Sequence, residues 1–134
     1  MIVRTGIVLL AIFFDLASLI LFATGIALLW PGTAFDAIWL LAPERAWTLM
    51  PYRLWLGPFF LALMVPVACA SYGFFRQRGW ARTLAIAIFA ANGLGDAMQI
   101  IAGHTLTGLL GVCIAGLVLL FLTDRTVRAA FVTV

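Results

Sequence analysis

The chain has 134 residues, 66% of them hydrophobic and 10% charged, with eight arginines, no lysine and five acidic residues for a formal charge of +3. A soluble domain carries roughly 25% charged and about 45–50% apolar residues, and a chain this short has too little interior to hide the surplus. An ordinary water-soluble domain is therefore excluded. With the arginines in short loops rather than in a stripe, so is a nucleic-acid surface.

In chain order, the first apolar run covers 5–30, about 38 Å of helix. Arg4 precedes it, as in a secretory leader. A leader's apolar core is only about 7–15 residues, so the run reads as a retained membrane span. The next stretch, about 31–53, holds Trp39, Trp47 and Tyr52 and is flanked by Trp30 and Trp55. Indole rings favour the headgroup level, where the ring is buried and the N–H stays wet, so these tryptophans are candidate interface anchors. Thr33-Ala34-Phe35-Asp36 fits a helix-start pattern, and Pro43 and Pro51 punctuate the rest of the stretch. Two short helices lying in the interface are expected here, with an irregular surface loop as the alternative.

A second span is expected over 54–75, with Pro58 in its first turn and Pro66 placed to kink it. A basic turn, Arg76-Gln77-Arg78-Gly79-Trp80-Ala81-Arg82, leads to a third span over 83–101. A turn at Gly103 and His104 leads to a fourth over 106–122, and a tail with Asp124, Arg125 and Arg128 ends the chain. The expected fold is all-α: one transmembrane domain over 1–134, a four-helix bundle with short interfacial helices between the first and second spans. Arg4, Arg76, Arg78, Arg82, Arg125 and Arg128 fall on one side, against Arg45 and Arg53 on the other. That bias predicts a cell (inner) membrane protein with both termini cytoplasmic, its arginines also meeting lipid headgroups.

The polar residues at membrane depth are the candidate site: Asp15, Ser18, Asn92, Asp96 and Gln99. Asn92, Asp96 and Gln99 recur at i, i+4, i+7 and share a helix face, and Asp15 and Ser18 sit on the first span. An ionisable group facing lipid is expensive, so the two faces are expected to meet inside the bundle. The pattern has two readings. Asp15 and Asp96 are the acids of a proton or ion path, or they are packing groups that set helix register, and the second is favoured. Ala87, Ala91 and Gly95, and likewise Thr107, Gly111 and Ala115, form small-residue stripes that suit close helix packing, within one bundle or against a second copy.

Cys69 and Cys113 have no metal-type spacing and are expected to be small core residues without a disulfide. His104, the lone histidine, reads as a solvated turn residue, with pH sensing as the alternative. No catalytic or nucleotide-binding motif is present, so no catalytic residue, cofactor or metal site is expected.

Arg78-Gly79-Trp80-Ala81-Arg82, Asn92-Gly93-Leu94-Gly95-Asp96 and Val127-Arg128-Ala129-Ala130-Phe131, with Ala37-Ile38-Trp39 and Ala42-Pro43 upstream, carry a resemblance. The chain resembles small uncharacterised bacterial four-helix integral membrane proteins. The resemblance implies a bacterial origin and a recurring Asn92/Asp96 pattern, and no activity. The function expected is that of a non-enzymatic, multi-pass membrane protein acting through self-association or a membrane partner. The alternatives are a small proton-coupled transporter using Asp15 and Asp96, and lipid or hydrophobic-ligand binding under the tryptophan-rich cap.

Overall fold

The computed structural model describes residues 2–131. Among the described residues six α-helices succeed one another: α1 (Ile2–Leu29), α2 (Pro43–Leu49), α3 (Arg53–Phe75), α4 (Gly79–Ile101), α5 (Thr105–Thr123) and α6 (Arg125–Ala130). Short 3₁₀ helices at Ala34–Leu40 and Met50–Tyr52 complete the chain, and no strand occurs among the described residues. Among the described residues four stretches are long and apolar enough to cross a membrane: α1, α4, α5 and the continuous segment Pro43–Phe75 that contains α3. Large apolar side chains such as Leu9, Phe13, Leu117 and Leu120 face outward. The expected all-α four-helix architecture is present, and the chain is a membrane protein whose outward apolar surface is matched to hydrocarbon.

The chain forms two compact units, Ile12–Ser71 and Met1–Ala11 with Tyr72–Val134. In the first, α1 and α3 approach closely through glycine. A Cβ on Gly25 would fall 2.8 Å from Leu61, and one on Gly57 would fall 2.6 Å from Leu29. The loop between these helices holds the two expected helical pieces. The first is a 3₁₀ helix because its backbone closes through the Asp36 amide on the Thr33 carbonyl, 3.0 Å. The Asp36 carboxylate accepts from the Gly32 amide at 2.6 Å, and Gly32 takes a positive φ of 93°. Thr33 makes no side-chain cap, so only the acidic half of the expected start signal is used. Phe35 stands edge-on to Phe22 at 5.6 Å and ties this loop to α1. α3 runs as helix through both Pro58 and Pro66.

In the second unit, α3 ends and α4 begins across a three-residue turn. Gln77 donates to the Phe74 carbonyl and Arg78 to the Gly73 carbonyl, at 3.0 and 2.9 Å. This is the paired capping pattern that satisfies a helix's last carbonyls, and it places Gln77 in the left-handed region at φ 51°. The α4–α5 turn repeats it: Gly103 donates to Ile100 and His104 to Gln99, with Gly103 at φ 96°. One turn uses the residue suited to that conformation and the other does not. Gln77→Gly is therefore expected to raise stability by about 0.5–1 kcal/mol, the left-handed penalty less the added freedom of the unfolded chain. Thermal unfolding in detergent checks this, with Gly103→Ala shifting the midpoint the opposite way.

Two boundaries differ from the sequence reading. α4 starts at Gly79 rather than 83, because the turn is satisfied by backbone and leaves Trp80 and Arg82 free to be helical. The tail, to which the sequence reading assigned no element, holds a further helix, α6, which Asp124 caps by accepting from the Thr126 amide at 2.8 Å and from its hydroxyl. Those bonds hold the Asp124 carboxyl below its ordinary value of 3.8, the side-chain bond having the larger effect. α6 buries Val127, and Phe131 just after it lies edge-on to Phe74 at 5.2 Å. Arg125 and Arg128 point outward.

Candidate functional site

The polar residues singled out by sequence lie on α1 and α4, and the fold treats them differently. Asp15 is exposed on the surface of its unit. Its backbone carbonyl accepts from the Ser18 hydroxyl at 2.7 Å, and Ser18 is buried, at 6% exposure. Three residues turn a helix by about 300°, which leaves the two side chains about 60° apart, Ser18 on the buried side of that face and Asp15 at its open edge. The Ser18 hydroxyl is satisfied within its own helix, which accounts for its burial. Expected to line the bundle interior, Asp15, Asn92 and Gln99 are instead all exposed.

Asp96 is the exception. It is half-buried, and its carboxylate lies over the bare backbone of α5 at Gly111, where a Cβ would overlap it. Gly108, one turn earlier on α5, lets the helices approach still more closely. A Cβ there would fall 2.6 Å from the Asp96 carbonyl oxygen and 3.0 Å from the Ile100 nitrogen. Gln99 donates weakly to the Asp96 carboxylate at 3.4 Å. Gly93 completes the seam, with Ala115 3.3 Å from its Cβ position. The stripe Thr107, Gly111, Ala115 thus supplies two members of the α4–α5 seam, as close packing within one bundle requires. Sequence reasoning overlooked Gly108 in this seam. Its spacing of three from Gly111 was the signal that could have found it.

The other small stripe has a different fate. Ala87, Ala91 and Gly95 are exposed, and no atom lies within 4 Å of a Cβ built on Gly95. Asn92 borders this face, exposed, and its side chain makes no hydrogen bond among the described residues. α4 therefore has one seam sealed against α5 and one open face combining small residues with an unpartnered carboxamide.

The remaining sequence candidates are more diffuse. Trp47 and Trp55 are 84% and 83% exposed, and Trp30 is also exposed. Trp39 is half-buried, and its indole nitrogen and the Asp36 Oδ1 are both buried without a hydrogen-bond partner among the described residues. Cys69 and Cys113 are free and exposed rather than in the core. A thiol behaves as a small apolar group, so an outward position facing hydrocarbon suits it as well as an interior one. His104 is exposed at the start of α5, where its carbonyl accepts from Gly108 and from the Thr107 hydroxyl. No cluster of His, Cys, Asp and Glu suited to a metal ion occurs among the described residues. No family model matches the chain, and no curated protein or solved structure matches it.

Proposed function

We propose that this is a small multi-pass protein of the bacterial inner membrane, with both termini cytoplasmic, that works by self-association rather than catalysis. The observation that carries the reading is the open face of α4, where Ala87, Ala91 and Gly95 lie exposed beside the unpartnered Asn92. In hydrocarbon an unmatched carboxamide is costly, and small residues let a second helix approach closely enough to gain dispersion contact. A carboxamide is both donor and acceptor, so Asn92 of one copy complements Asn92 of another across a two-fold axis. The membrane-partner form of this reading gives the same face to a different protein. Energy transfer between labelled copies in vesicles, monitored as protein is diluted with lipid, separates the two. A reversible concentration dependence supports self-association, and a monomer at every dilution removes it.

A second reading, a proton-coupled permease using Asp15 and Asp96, draws on one observation. Asp96 is an acid on a helix long and apolar enough to span a membrane, with its carboxylate over the α5 backbone at Gly111. Intramembrane acids are placed at a cost that transport commonly explains. On this reading Asp96→Asn abolishes proton flux in proteoliposomes while leaving the fold intact, because the amide keeps the shape of the side chain. Flux equal to that of empty vesicles in the unmodified protein eliminates it.

A further inference from the structure

The arginine-bearing end of the second unit has a feature that self-association does not use. Gly6 on α1 touches the Phe121 ring on α5, and a Cβ there would fall 2.6 Å from the ring's Cζ. With no side chain at position 6, the ring lies directly on the α1 backbone and forms one wall of an outward groove. The groove is lined by Ile2, Thr5, Gly6, Leu9 and Phe121 and encloses about 400 Å³. Its walls are almost wholly apolar. A smaller depression of about 270 Å³, formed by Arg4, Thr5, Val8 and Leu9, adjoins it through Thr5 and Leu9. Arg4 thus stands at the flank of the groove, near its outer end, while Leu9 lies roughly 8 Å deeper along the helix.

Charge at this end is one-sided. The contacts of Gly6 with Phe121, of Phe74 with Phe131, and of Arg82 with the Leu122 carbonyl (2.8 Å) bring together the start of α1, the α3–α4 turn, the end of α5 and α6. Arg4, Arg76, Arg78, Arg82, Arg125 and Arg128 all belong to those segments. The acid at this end, Asp124, is engaged as the α6 cap. None of the six arginines is ion-paired to a carboxylate among the described residues.

We infer that this end is a seat for an anionic glycerophospholipid, with one acyl chain in the Gly6–Phe121 groove and the phosphate at Arg4, within the field of the other arginines. The two halves of the site each exclude a competitor. Free phosphate would meet the arginines and leave the apolar groove empty. A second copy of the chain would bring a second set of arginines to the same place, and like charges at an interface repel. A zwitterionic lipid would fill the groove without balancing the charge. Only an amphiphile with a net negative head satisfies both. Arginine suits this position because its apolar stem lies along the helix while the guanidinium reaches the headgroup level.

The test uses the full-length protein in detergent, titrated with dioleoyl phosphatidylglycerol, dioleoyl phosphatidylcholine or inorganic phosphate and read by native mass spectrometry. Unmodified protein is expected to retain phosphatidylglycerol in preference to phosphatidylcholine and not to release it to millimolar phosphate. Arg4→Gln removes one charge near the surface and is expected to weaken retention about fivefold. Leu9→Trp fills the groove without altering charge and is expected to weaken phosphatidylglycerol retention further. Both side chains are exposed, Leu9 at 61%, so neither change disturbs the interior. Equal retention of the two lipids, displacement by phosphate alone, or indifference to both substitutions overturns the inference. Loss of self-association in an α4 variant leaves it standing, because the groove is built from α1 and α5.

Discussion

Replacing Gly108 by leucine is expected to open the α4–α5 hairpin, with a larger loss of stability than any other substitution proposed for this chain. The reason is what a new side chain would meet. A Cβ at Gly108 would press on backbone atoms of α4, the Asp96 carbonyl oxygen at 2.6 Å and the Ile100 nitrogen at 3.0 Å. Flexible side chains can rotate away from such an intrusion, whereas a helix backbone moves only as a rod. Overpacking of a tight interior costs about 1–3 kcal/mol even where side chains can shift, and here they cannot absorb the strain. A fall of at least that size is expected in unfolding measured in detergent. Gly116, on the same helix, provides the control, since nothing lies within 4 Å of its Cβ position. Gly116→Ala should hold or raise stability, by up to about 1 kcal/mol from helix propensity. Equal losses at the two positions would mean that the hairpin is held by something other than this close approach.

The second large effect concerns α4's open face. Gly95→Leu meets no atom of its own chain at the Cβ, so the monomer is expected to fold normally. A bulky side chain there would keep a second helix at a distance and remove the close contact that small residues permit. Asn92→Leu would remove the polar contact and keep the bulk. Interhelical polar contacts in membranes contribute about 0.6–2 kcal/mol each, so Asn92→Leu should weaken association roughly 3- to 30-fold. Gly95→Leu should weaken it more, because it disrupts the approach on which every other contact depends. Energy transfer between labelled copies at fixed lipid dilution reads both, and circular dichroism confirms that the helices remain. If Gly95→Leu associates as strongly as the unmodified chain, the open face is simply a lipid-facing surface.

How much of this was readable from the residues depends on the physics of each feature. The four spans were legible because hydrocarbon demands long apolar runs, and the expected ranges overlap α1, α3, α4 and α5 with ends shifted by a few residues. The ends were harder, because capping decides them. Nothing in the composition of Arg76-Gln77-Arg78 announces that Gln77 adopts the left-handed conformation. α6 was missed although its signals were short and present: Asp124 as a cap, and Val127 and Phe131 four apart on one face. Six residues are too few for periodicity to stand out against a charged tail. Asp15 shows a deeper limit. Rotational position on a helix that is apolar all round is invisible in hydrophobic patterning, since no polar face exists to orient it. Only the small residues carried that information. They were ambiguous until the fold showed Gly111 and Ala115 engaged and Gly95 open.

The pairing of Gly6 with Phe121 bears on how the chain is made. Phe121, the residue that covers the start of α1, lies 115 positions after Gly6 and is made correspondingly later. Until α5 is made, Gly6 and its neighbours lack the ring that the folded molecule lays on them. A nascent chain stalled before α5 therefore exposes apolar surface on α1 that the folded unit covers, and such transiently exposed surface is where aggregation starts.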